Sequence, residues 1–545
     1  MRAEVPRGAL VARLAALPDR TLQLAISAAL FALSAWPLLL VELPPFQDLP
    51  NHVASAYIIH HLDHYPALGF NGAWKSNALF TAWLDLFPDG QLLVGARLFI
   101  ALTIATTAAI LPWFVRQAAG RRAMVVASLL VWPLVHGFFL SMGMLNFSIG
   151  FPLSLIVLVL LDRQRRAPGW GRGAVIAALG VAIWFAHPFP LIVVGGLAAL
   201  EVLVRRDRAA GLAGLARSAL VTLAPLVPVA VLVVGTALAH MTKATGAPVA
   251  ASAGFAFLTP WELIAHVWLD ASGALTRWGS MTAIPAVILP VVAWRARRAP
   301  DAATRMVSGA SVIAVAVLYL GLPLMLSNWW YLNSRMVPFL WVVMAARVPT
   351  QLGRRTVAVL LAAAASWSVV LGVDYVRLDR DRAELTAGID AVPAGATLLP
   401  LLFSHRKTSD FTASLTHAWA YYVMARQTSA PLVFAVERSY PLTYREFPPP
   451  ALIPPALDRF AELNGTPAQV CAADGVAFGY TADECEGLWR ERWARFWQKA
   501  EPRFSHLLIW AMPPAARAVI PASYAPVFAA GDLAIYARRD AASAR

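Results

Sequence analysis

Charge is scarce in this chain. Asp, Glu, Lys and Arg make up 14% of its 545 residues while 59% are hydrophobic, and an average soluble domain carries about a quarter charged residues. A wholly soluble protein is excluded. Lysine is nearly missing, present only at Lys75, Lys243, Lys407 and Lys499, so the net charge of +14 is carried by arginine. The arginines cluster between apolar runs, which is how membrane topology is signalled and not how a nucleic acid is gripped. No nucleic-acid partner is expected. Cysteine is limited to Cys471 and Cys485, both in the polar C-terminal part. That excludes a cysteine-rich metal site and leaves one disulfide, closing a loop of about 14 residues, if this part lies outside the cytoplasm. No P-loop and no G-x-S-x-G elbow occurs, so neither ATP-driven transport by this chain nor a lipase reaction has support.

What is present in abundance is the apolar run. The first, Thr21 to Val41, follows Arg2, Arg7, Arg13 and Arg20 and has the roughly 20 residues a bilayer crossing needs. With no small-residue cleavage site before the break at Glu42 to Pro45, it reads as a retained span. Arginines recur around Arg116, Arg163, Arg205, Arg295 and Arg347. If all face the cytoplasm, each intervening stretch crosses an even number of times, giving about eleven membrane segments with the N-terminus inside and the C-terminus outside. Hairpins are expected to turn at "SMGMLN" and at "SNWWYLNSR", and "HPFP" at 187–190 reads as the tip of a short pair. The fold class is therefore a polytopic α-helical membrane protein, residues 1–373, with its first outer loop at 42–91. An extracytoplasmic α/β domain, 374–545, follows. In that domain "ATLLPLLF" and "SHLLIWAMP" read as strands, "LWRERWARFWQKAE" as a helix and "APVFAAGDLAIYARR" as a hairpin turning at Gly531 and Asp532.

The first outer loop holds the densest polar group, "PPFQDLPNHVASAYIIHHLDHY". Pro50 suits the first turn of a helix, and Asp48 before it is placed as the N-cap. A second reading makes Asp48 a carboxylate poised as a general base or a ligand to a divalent metal. His52, one helical turn on, is the histidine best placed to act with it. His60 and His64 share a helix face at a spacing that zinc ligands use, with interfacial side chains as the ordinary alternative. Glu262 and Asp270 in "WELIAHVWLD" lie on an amphipathic helix suited to the bilayer surface, where they are candidates for a second acid and Glu262 for substrate binding, with a solvated helix face as the plain reading. Outer-side cations are few, and Arg335 is a candidate phosphate clamp, with interfacial anchoring as its plain reading; Lys243 is another. Asn146 and His187 fall near outer ends of spans, where polar residues serve helix packing or a ligand.

This layout resembles the GT-C superfamily of integral membrane glycosyltransferases, on the inside N-terminal span, the acid-bearing outer loop "PPFQDLPNH", the many short spans and the C-terminal α/β domain. The resemblance implies transfer of a sugar from a polyprenyl-phosphate donor to a glycan, lipid or protein of the envelope, at the outer face of a bacterial inner membrane. It implies Asp48 as catalytic base or metal-linked carboxylate, with magnesium or manganese as the cofactor it allows. Gln47 stands where many members carry a second acid. It further implies membrane lipid around the chain and a donor phosphate against Arg335. A flippase for a lipid-linked substrate and a non-catalytic envelope scaffold are the competing readings.

Overall fold

The computed structural model describes residues 16–206, 209, 211–242, 255–297, 305–326, 329–436, 440–454, 456–474 and 480–542; Lys243 lies outside them. Among these, six helices are long and apolar enough to cross a membrane, and four shorter apolar helices accompany them. The chain is a multi-pass membrane protein with a sheet-bearing C-terminal region.

Helix α1 (Asp19–Ala35) opens the membrane part. After it the outer loop forms α2 (Leu49–His60) and a short strand β1 (Leu68–Phe70). Helix α3 (Leu92–Val131) is broken at Gly120, whose φ of 85° only glycine takes readily. Gly95 on one side of the break receives a bond from Trp83 in the outer loop, whereas Ala118 meets Met306 and the residues beyond return to His136 beside Tyr375. The chain therefore reverses direction at Gly120. Helix α4 (Leu145–Arg166) follows the turn at Ser141 to Met144, and α5 (Trp170–Ala186) and α6 (Phe189–Val204) form the pair joined at His187 and Pro188.

The arginines gather at one end of this bundle. Arg121 pairs with Asp19 at 2.8 Å, Arg163 donates to Gln117 at 2.7 Å, and Arg205 pairs with Glu201 at 2.7 Å. Glu201 also accepts from the Ser308 amide at 2.6 Å, and Arg347 donates to the Val307 carbonyl at 2.8 Å. Helix α7 (Pro260–Ser272), helix α8 (Val337–Ala345) and the 33-residue helix α9 (Arg354–Thr386) complete the frame. No glycine or proline in "DYVRLDRDRAELT" breaks α9 where apolar sequence gives way to polar, so it runs unbroken through residue 373 into the C-terminal region.

There, β2 (Leu398–Leu402), β3 (Leu442–Tyr444), helix α10 (Ala482–Ala500), β4 (His506–Trp510), β5 (Tyr524–Ala530) and β6 (Leu533–Arg538) appear where the sequence pattern put strands and helix, with β3 added. The main sheet runs in the order β2-β4-β6-β5, with β2 and β4 parallel and the other pairs antiparallel. Strand β3 stands outside this sheet and pairs with β1 of the first outer loop. That pairing fastens the C-terminal region over α2.

Cys471 and Cys485 form a disulfide across 14 positions. Closing such a loop stabilises by about 3 kcal/mol. Replacing both with alanine is expected to lower the melting temperature of the C-terminal region by roughly 5–10 °C, read by scanning fluorimetry. An unchanged melting temperature would show that the bond constrains nothing.

Candidate active site

At the end of the bundle opposite the arginines, Asp48 sits at the N-cap position of α2, but its side chain makes no capping bond. The carboxylate instead turns towards other partners: Gln47 Nε2 donates to Oδ1 at 3.3 Å, and His417 Nε2 lies 3.5 Å from the same oxygen. Its side chain is 15% exposed. Burial, offset by the Gln47 bond and reinforced by the charge of Asp458, lifts its pKa to about 7.

The tautomer of His417 follows from its neighbour. Asn51 Oδ1 accepts the Phe434 amide at 3.1 Å and its Nδ2 donates to the Leu432 carbonyl at 2.9 Å, which fixes the amide's orientation. The second proton on Nδ2 then points at His417 Nδ1, 3.2 Å away. Nδ1 must accept, so the ring's proton is on Nε2, facing Asp48. Burial, together with the nearby His405 and His52, drops the His417 pKa to about 3, and the ring stays neutral.

Two turns of chain support this carboxylate. The Asp48 amide donates to the Met142 carbonyl at 3.0 Å and the Gln47 amide to Ser141 at 3.4 Å, while Gln47 Oε1 receives the Ala413 amide at 3.2 Å. The same turn reaches Arg335, whose Nη2 lies 3.9 Å from Met144 Sδ. Arg335 Nη1 donates to His187 Nε2 at 3.0 Å, and its guanidinium stands 5.1 Å from the Phe147 ring and 5.6 Å from Phe139. Burial, then the arginine's charge, holds the His187 pKa well below its usual value. Ahead of Arg335, Tyr331 holds a φ of 59°, a conformation that a bulky residue rarely takes and that marks functional turns. Burial and then the Asp48 charge push the Tyr331 phenol up to about 12. The sites of Asp48 and Arg335 thus meet through Met142–Met144 and Tyr331. Below the guanidinium, Phe139 and Phe147 help line a small cavity of ≈ 30 Å³ whose wall also includes Thr103, Thr107, Ser148 and Asp270.

Other sequence candidates have separate duties. His52 is packed among aromatic rings, 4.9 Å from Phe434 and 5.9 Å from Phe80, and burial lowers its pKa to about 4. Asn146 braces the outer loop, accepting the Phe80 amide and donating to the Asn77 carbonyl, each at 2.8 Å. Glu262 is exposed and completes a capping box with Thr259 at the start of α7. Asp270, buried on the same helix, pairs with His266 at 3.1 Å. His60 lies between Asp89 at 2.7 Å and Asp85 at 3.1 Å on the loop's surface. His64 instead faces Asp63 at 3.4 Å. Among the described residues no three His, Cys, Asp or Glu side chains gather as a metal shell. His417 also turns an N–H, not a lone pair, towards Asp48, so this donor set does not fit a protein-held metal. Sequence reasoning missed His417, Asp458 and Tyr331; a lone histidine in the apolar run "SLTHAWAYY" was the one signal available for the first.

A buried carboxylate, a neutral histidine and an arginine–histidine pair therefore share one end of a helical membrane bundle, under a C-terminal α/β cap. The fold is of GT-C type. It is similar to the crystal structure of ArnT from Cupriavidus metallidurans bound to undecaprenyl phosphate, at 14% identity and a TM-score of 0.50, covering 95% of this chain and 97% of that one. The apo ArnT structure matches at 13% identity with the same TM-score and coverage. A cryo-EM structure of the arabinofuranosyltransferase AftD from Mycobacteria matches at 16% identity and a TM-score of 0.48, covering 96% of this chain and 40% of that one. No protein-family model and no curated protein sequence matches the chain.

Proposed function

We propose that this protein is a membrane glycosyltransferase moving a sugar from a polyprenyl-phosphate donor to an envelope glycan, lipid or protein, on the outer face of a bacterial inner membrane. In this reading the arginine-rich end faces the cytoplasm and the C-terminal region lies outside. The observation that carries it is the Asp48 carboxylate, buried, weakly bonded and backed by a neutral histidine, linked through one turn to the Arg335–His187 pair. Asp48 takes the proton of an acceptor hydroxyl as that oxygen bonds to the anomeric carbon. The bond from that carbon to the phosphate oxygen breaks, and the leaving phosphate places its charge against Arg335. One base and one neutralised leaving group give inversion at the sugar. His417 orients the carboxylate through its Nε2 proton and stays uncharged. No step is routed through a metal ion, since these residues form no protein-held metal shell. Phe139 and Phe147 below Arg335 offer apolar faces to the first isoprene units of the carrier, and undecaprenyl phosphate is the ligand in the ArnT structure with the similar fold.

Arg335→Ala tests the donor end. It is expected to weaken undecaprenyl phosphate binding by about tenfold or more, with Arg335→Lys in between, because a point charge replaces part of a planar fork. Binding by the alanine variant equal to wild type would remove the phosphate from this position.

A further inference from the structure

The C-terminal region holds a buried carboxylate, Asp458, that the reading above leaves unused. Asp458 lies close enough for its charge to be felt at Asp48. Its Oδ1 is buried and has no hydrogen-bond partner. Its backbone carbonyl accepts from His405 Nε2 at 2.8 Å, which puts the proton of that ring on Nε2 and leaves a lone pair on Nδ1. His405 is 9% exposed, and Nδ1 is buried and unpartnered. Thr412, 1% exposed, has an unpartnered hydroxyl as well.

His405 and Thr412 lie on one loop, and Asp458 is bonded to it through its backbone carbonyl. The 405–417 loop begins at His405, where the Leu415 amide returns to the His405 carbonyl at 3.1 Å. It passes Thr412, touches Gln47 through Ala413, and ends at His417 against Asp48. Beside it stand Phe434 and Tyr440, stacked at 5.1 Å, with Phe434 5.0 Å from the His417 ring. Each buried polar atom left without a partner costs about 1–3 kcal/mol, so such a group marks a place where a ligand supplies the missing bonds. The His405 atom can only accept, and the Asp458 oxygen accepts whenever its carboxyl is ionised, which calls for a ligand rich in donors. Flat aromatic faces next to such acceptors match the C–H face and hydroxyl rim of a sugar.

We propose that Asp458, His405 and Thr412 form the acceptor subsite. They receive hydroxyls of a polyhydroxylated acceptor, a sugar ring, next to the hydroxyl that Asp48 deprotonates. The subsite rests on the glycosyl-transfer reading above. Burial lifts the Asp458 pKa to about 7, a strain that a hydroxyl donor would relieve.

The test uses the full chain in lipid nanodiscs. Undecaprenyl phosphate carrying a radiolabelled pentose or hexose is the donor probe, and envelope membranes from cells lacking the protein supply the acceptor. Two products are counted, label joined to the membrane acceptor and free sugar released to water. Asp458→Asn and His405→Gln are each expected to lower the ratio of transfer to release about tenfold or more while undecaprenyl phosphate binding stays within about twofold. Transfer and release falling together would place Asp458 in the chemistry and overturn the subsite, as would an unchanged ratio. A wild-type protein inert in both products with every sugar condemns the transferase reading itself.

Discussion

Asp48→Asn is expected to abolish glycosyl transfer, by a factor of about 10²–10⁴, the range a positioned general base supplies, while making the protein more stable at alkaline pH. The two effects have one cause. Asparagine keeps the shape and the Gln47 contact but cannot take a proton, so the acceptor hydroxyl is no longer activated. The stability gain follows from burial. In the folded chain Asp48 titrates near 7, whereas in the unfolded chain it titrates near 3.9. Below about pH 4 both states hold the proton, and between about 4 and 7 only the folded state does. Stability from this group is therefore full in acid and is lost as pH rises through the folded pKa, on the order of 4 kcal/mol in all. The variant carries no such loss. Melting curves at pH 5 and pH 8 check this: wild type should fall more than Asp48→Asn between the two. Parallel curves would mean that the carboxylate is not buried as described.

The same ionisation sets the rate. Transfer should rise with pH through about 7 as Asp48 loses its proton, with no second limb from His417 or His52, whose pKa values lie near 3 and 4. Function and stability thus pull Asp48 in opposite directions, as is usual where a charge is held in a dry site.

How much of this was written in the chain depends on the range of the interaction. Asp48, Arg335 and His187 were legible because each is a polar group breaking an apolar context near the end of a span. Capping at Asp48 was also legible in the pattern before Pro50, yet the carboxylate is drawn away by Gln47 and His417, and α2 starts without a side-chain cap. His417 and Asp458 could not be found from local pattern. They lie more than 350 positions from Asp48 and join it only because β3 pairs with β1 and the 405–417 loop folds onto Gln47. For Asn146 the pattern left helix packing and a ligand both open, and the structure shows it bracing residues 77 to 80. The change of texture near residue 374 marked where the chain turns polar, but helix α9 needs a breaker to end and the sequence supplies none there.

Gly143→Ala should produce a large effect at the site. Gly143 has a φ of 81°, where an L side chain is strained, and a Cβ there would stand 2.8 Å from the Leu49 nitrogen, 3.0 Å from the Asp48 nitrogen and 3.1 Å from Asp48 Cβ. Neither neighbour is a flexible side-chain tip; the two nitrogens belong to the N-cap and the first residue of α2. The Asp48 amide is held by Met142 and the Gln47 amide by Ser141, so the turn and the helix start cannot part without losing these bonds. The methyl must therefore push Asp48 as a unit with its helix, away from His417 and from the turn that leads to Arg335. A destabilisation of about 3 kcal/mol or more is expected, and the fraction that folds should transfer sugar at least about 100-fold more slowly, since a displacement near 1 Å costs that much at a positioned base. Gly90→Ala is the matched control, because a Cβ at Gly90 meets nothing within 4 Å. Size-exclusion profiles and melting temperatures separate the folding loss from the rate loss. A Gly143→Ala protein that melts like wild type and turns over at the wild-type rate would show that the Ser141–Met144 turn does not set the position of Asp48.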